Sequence, residues 1–170
     1  MAKGHDRCRP QPEKLVLLCD GGIRVEPFKQ GYLIDLSRIR ERASSIAPIA
    51  LSFMFDYQDG LYEHRIRNLY DENFFYITCP RIQEAQKNKD KTDWVLSKFG
   101  YIAIPLMPEI TDVVIVANDG DFVPLVSLLK DHGKRVTLFY YKKPAEGYYS
   151  VLGKEMMFDI ADFGLTAQPT

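Results

Sequence analysis

A chain of 170 residues, 46% of them hydrophobic and 26% charged, holds material for one globular core rather than two, and none of its apolar runs is long enough to span a bilayer. A formal charge of -1 and a pI near 6.3 exclude the strongly basic character that advertises nucleic-acid binding, so any polyanion contact must come from local clusters. Cys8, Cys19 and Cys79 stand far apart with no Cys-x-x-Cys pair, which excludes a disulfide framework or a zinc knuckle as the organising feature.

Residues 1–13 are polar, hold two prolines and lack the apolar middle of a signal peptide. They read as a loose leader on a cytoplasmic protein. Residues 14–165 read as one domain, and residues 166–170 as a tail. Lys-Leu-Val-Leu-Leu-Cys at 14–19 reads as a buried first strand that ends at Asp20-Gly21-Gly22, with Cys19 a core thiol. Residues 33–43 predict an amphipathic helix with Leu36, Ile39 and Ala43 on one face. The second strand is predicted over 46–57, shortened at its start by Pro48. A helix follows over 61–70 and a third strand over 74–78.

Residues 82–91 are polar and lysine-rich and read as a surface loop. Residues 93–107 predict a helix closed by Pro105 and Pro108. Residues 112–117 are a fourth strand of continuous β-branched character. The helix predicted over 122–132 carries Pro124 in its first turn and Gly133 just past its end. A fifth strand spans 135–140, and residues 148–165 read as a short helix with room for an edge strand. Strands alternating with helices imply a mostly parallel sheet.

Four aspartates stand out by position. Asp20 follows the first strand, Asp119 and Asp121 follow the fourth, and Asp93 opens the long middle helix. In a strand order 3-2-1-4-5 the first and fourth strands are neighbours at a topological switch point, where open α/β sheets form a crevice. Carboxylates gathered there repel one another unless a counter-charge joins them. A hard divalent cation prefers such oxygen ligands and leaves room for phosphate oxygens. Each residue also has a plain structural explanation: Asp121 can cap the following helix, Asp119 and Asp20 can sit in turns, and Asp93 suits a first helical turn. Asp56 ends the second strand and could border the same crevice.

The segments Leu17-Leu18-Cys19-Asp20-Gly21-Gly22, Lys91-Thr92-Asp93 and Val116-Ala117-Asn118-Asp119-Gly120-Asp121-Phe122-Val123-Pro124-Leu125-Val126 together resemble the NYN domains of the PIN-like nuclease superfamily, in particular the LabA-like group. Gly133-Lys134-Arg135-Val136 and Ala161-Asp162-Phe163 fit the same pattern. The resemblance implies a three-layer α/β/α sandwich and a ribonuclease dependent on Mg²⁺ or Mn²⁺. It implies Asp20, Asp93, Asp119 and Asp121 as the catalytic and metal-binding acids, with Asp20 and Asp119 as direct ligands and Asp93 and Asp121 either binding a second metal or holding waters. RNA is then the expected partner, with no membrane role and room for a homo-oligomer. Its phosphates would meet Arg24, Lys87, Lys89, Lys91, Lys142 and Lys143.

The chain departs from the family pattern twice. Gly22, Ile23 and Arg24 stand where an asparagine is usual, and Ala117-Asn118 replaces Ser-Gly. The hydroxyl is lost at Ala117, and Asn118 is the candidate polar group supporting the ligands. These departures leave a second reading, a non-cleaving RNA-binding or regulatory module. A Toprim-like domain ranks lower, because it expects a glutamate where Asp20 stands.

Overall fold

The computed structural model describes residues 13–57, 69, 71–84 and 87–168. Its centre is β1 (Leu15–Asp20), which pairs in parallel with β3 (Ile49–Tyr57) on one side and β7 (Asp112–Val116) on the other. A strand covered on both faces and both edges buries every apolar side chain it has, and Leu15 to Leu18 are fully buried. β4 (Phe75–Cys79) extends the sheet beyond β3, and β8 (Arg135–Tyr140) then β9 (Met157–Asp159) extend it beyond β7. The order is β4-β3-β1-β7-β8-β9, all parallel. The five strands read from the sequence thus stand in the expected succession, and the order differs from 3-2-1-4-5 by the sixth strand added at the β8 edge.

Alternate residues feed two cores. Val16, Leu18, Val113, Ile115 and Leu138 pack with α3 (Thr92–Ile102) and α4 (Val123–Asp131). Leu15, Leu17, Cys19, Val114, Val116 and Phe139 pack with α2 (Leu36–Ser44). The result is the expected sandwich of helices on both faces of a parallel sheet. Burial pushes the Cys19 thiol well above its usual range, which leaves it an inert core group. Pro124 occupies the first turn of α4 and Gly133 follows its end at φ +73°, as the sequence predicts. Among the described residues no helix is long and apolar enough to cross a membrane.

Several expectations are corrected. The helix predicted from residue 33 begins at Leu36, because Asp35 caps it by accepting a bond from the Arg38 amide at 3.1 Å. The residues before the cap form β2 (Tyr32–Ile34), antiparallel to β10 (Leu165–Ala167). The helix predicted over 93–107 divides into α3 and a 3-10 turn (Ile104–Leu106) that contains Pro105. Leu96 and Gly100 face the core, while Ile102 is 62% exposed. The lysine-rich stretch 82–91 is not a loop. It forms a ribbon of β5 (Arg81–Glu84) and β6 (Lys87–Asp90), held by backbone pairing that needs no apolar alternation. Of the helix predicted over 61–70 only Leu69 lies among the described residues, and it is buried.

Candidate functional site

Parallel strands deliver all their C-terminal ends to one edge, and the chain's direction across the sheet reverses between β1 and β7. Both strands finish in the same way at this switch point. Asp20 turns its carboxylate back to accept a bond from the Gly22 amide at 3.0 Å, which starts a 3-10 turn (Gly21–Arg24). Asp119 accepts from the Asp121 amide at 3.1 Å and starts a second such turn (Gly120–Phe122), which runs into α4. The cap is therefore Asp119, and Asp121 takes the first-turn position. Asp119 and Asp121 are exposed.

A buried tyrosine lies beneath these acids. Tyr148, in the short helix α5 (Tyr148–Val151), is fully buried, and its hydroxyl donates to the Asp119 carbonyl at 2.6 Å. Burial raises the pKa of this phenol, and the charges of Asp119, Asp20 and Asp121 raise it further. Carboxylates from two strand ends thus act on one hydroxyl. Asp93 stands half-buried in the first turn of α3, where the helix dipole favours its charge.

Asp56 is the acid whose part was least legible. Asp20 lies opposite Phe55 in the β1–β3 register, so the next step brings Gly21 against Asp56. A Cβ on Gly21 would lie 2.5 Å from the Asp56 carboxyl carbon, so only glycine leaves space for that carboxylate. Asp56 is buried and forms an ion pair with Arg24, whose Nε also donates to the Gly21 carbonyl at 3.1 Å. The sequence signal was a carboxylate closing an apolar strand; its partner depends on register and could not be read from spacing.

The other predicted contacts are spread around the rim. Asn118 donates to the Tyr141 carbonyl at 3.0 Å and accepts from the Tyr141 amide at 2.7 Å. Its amide group thus ties the end of β7 to the end of β8 and acts on the acids only through the backbone. Lys142 sits at φ +59°; its amide donates to Asp159 at 2.9 Å and its ammonium to Gln30, at the end of α1 (Val25–Lys29). Lys143 is exposed, and Lys91 is half-buried just before α3. Lys87 and Lys89 lie in β6, and their side chains fall outside what is described. A groove lined by Arg42, Tyr140, Phe158 and Asp159 runs along the β8–β9 edge and includes none of the four predicted acids.

The donor chemistry of Asp20, Asp119 and Asp121, carboxylate oxygens alone, suits a hard divalent cation. Among the described residues, however, no group of three or more His, Cys, Asp or Glu is drawn closely enough together to hold a metal ion. The four predicted acids are not a closed cage.

A family model described as NYN domain matches residues 14–150. No curated protein matches the chain. The crystal structure of a protein of unknown function from Vibrio parahaemolyticus matches at a TM-score of 0.73 and 20% identity, over 92% of this chain and 98% of that one. That likeness is one of fold.

Proposed function

The chain belongs to the NYN domain family, and from that premise we propose that it is a metal-dependent endoribonuclease acting at the C-terminal edge of the sheet. The observation that carries this reading is that β1 and β7, neighbours at the switch point, lead into Asp20 and into the turn of Asp119 and Asp121 on one edge of the sheet. Carboxylate oxygens on one sheet edge offer a hard divalent cation the ligand type it prefers. Asp20 and Asp119 would hold Mg²⁺ or Mn²⁺ directly, with Asp121 and Asp93 completing the site through waters. A bound ion of this kind polarises a phosphoryl group and lowers the pKa of its water.

The protein's own groups do the rest. The two backbone turns fix Asp20 and Asp119, and Tyr148 fixes the loop that carries Asp119 and Asp121. Arg24, Lys91, Lys142 and Lys143, with Lys87 and Lys89 of the ribbon, would meet RNA phosphates. The acids supply no positive surface, so these cations have to bring the substrate to the edge.

One observation favours a second reading. The acids do not form a closed ligand group, and Ala117 offers no hydroxyl beside them. A non-cleaving RNA-binding module would have both features. The test is cleavage of single-stranded and structured RNA with Mg²⁺ or Mn²⁺, set against Asp119→Asn and Asp121→Asn. The nuclease reading expects both variants to lose cleavage. Equal cutting by all three proteins marks a contaminant and ends that reading, and RNA binding without cleavage establishes the module.

A further inference from the structure

The helix that opens next to Asp93 leaves an indole open to water. Trp94, the chain's one tryptophan, stands in the first turn of α3 and is 58% exposed. That position forgoes the burial a large aromatic ring normally gains. β4 runs parallel to β3 and β1 and so ends at the C-terminal edge of the sheet. The ribbon of β5 and β6 leaves from there, and the Lys91 amide closes its base by donating to the Pro80 carbonyl at 3.1 Å. α3 therefore begins on the edge to which β1 and β7 lead Asp20 and Asp119. Its buried residues are Thr92, Leu96 and Gly100, and its exposed ones are Trp94, Lys98 and Ile102. Successive exposed residues stand one helical turn apart, in a single stripe that holds no acid. Nearest the edge, the stripe offers a flat ring, followed about 6 Å further along the helix axis by an ammonium.

We infer that the face of Trp94 is a stacking platform for an unpaired base of RNA, so that the sheet edge takes single-stranded RNA in preference to duplex. This rests on the reading of that edge as an RNA site, with or without cleavage. A base inside a duplex has its faces covered by its neighbours, and only an unpaired one can lie on an indole. Every base offers such a face, so the platform selects for strandedness rather than sequence. The Lys98 ammonium beside the ring complements the phosphates that accompany the base. Two copies of the chain meeting through this stripe would instead bring like charges together.

The test uses the full chain with EDTA present, so that binding is read without cleavage. Because Trp94 is the sole tryptophan, its emission reports on this position alone. A single-stranded oligouridylate is expected to quench that emission, and a blunt RNA duplex of the same length to leave it nearly unchanged. Anisotropy of the labelled single strand then gives affinities. Trp94→Ala is expected to weaken binding about tenfold or more, and Trp94→Phe, which keeps a ring, by much less. Thermal unfolding reports whether Trp94→Ala folds; if it does not, the wild-type quench and Trp94→Phe decide alone. Binding of the oligouridylate without quenching, wild-type affinity in Trp94→Ala, or equal quenching by the duplex overturns the inference. So does emission that shifts when the protein alone is diluted, which marks a contact between copies. Quenching in a protein that cleaves no RNA with Mg²⁺ or Mn²⁺ leaves this inference standing and ends the nuclease reading. Cleavage of single-stranded RNA without quenching does the opposite. If the oligouridylate does not bind, this inference falls.

Discussion

At the N-terminal edge of the sheet, buried Asp112 accepts two bonds from Arg135 at 2.8 Å each and one from the Thr111 hydroxyl at 2.6 Å. Beside it the Lys134 ammonium donates to the carbonyls of Met107 at 2.9 Å and Ile110 at 2.7 Å, and Arg135 reaches Glu13 at 3.0 Å. At the C-terminal edge, Asp20 and Asp119 each accept a bond from a backbone amide two residues on, and Asp119 and Asp121 face solvent. Acids at the first edge are balanced within the chain and stabilise the fold. At the second, Asp119 and Asp121 are placed by a turn and face outward, while Asp56 on the same edge is buried against Arg24. The difference shows that an aspartate's role follows from the company the fold gives it.

Substitutions at the two edges should therefore separate. Asp119→Asn is expected to cut RNA cleavage on the order of a hundredfold or more. Its thermal midpoint should stay within about 2 °C of wild type, since an exposed acid is being neutralised. Asp112→Asn should do the reverse. Losing a charged acceptor of two guanidinium bonds costs about 2 kcal/mol, which lowers the midpoint by about 6 °C, with Mn²⁺ affinity unchanged. Melting curves and calorimetry on the same two proteins would show whether the roles cross over.

Smaller effects sharpen the contrast within the C-terminal edge. Gly21→Ala forces its new methyl into the Asp56 carboxylate and should cost about 1–3 kcal/mol in denaturant unfolding. Tyr148→Phe removes one donor from the Asp119 carbonyl and should cost about 1 kcal/mol. The same variant carries a pH signature. Because the folded protein holds this phenol above its ordinary 10.0, the associated stability is complete below that pH and is lost as pH rises beyond it. Tyr148→Phe should accordingly lose less stability than wild type on alkaline titration.

Much of the framework is legible because β1, β3, β4, β7 and β8 are apolar runs long enough to read as strands. The acids at their ends follow from the same runs. β2 and β9 are three residues each, too short for any periodicity, and the β5–β6 ribbon is built from polar residues whose pairing lies in the backbone. Asp56 and Tyr148 needed the fold for a different reason. One depends on the register of two strands far apart in sequence, the other on how α5 returns beneath the Asp119 loop. Asn118 stands next to Asp119 in sequence as a polar support for ligands would, but the fold uses both ends of its amide on Tyr141.

A crystal soaked in Mn²⁺ addresses the central claim most directly. Anomalous density between Asp20 and Asp119 is the expected result. Density confined to other acids, or none at a concentration that supports cleavage, would contradict the account.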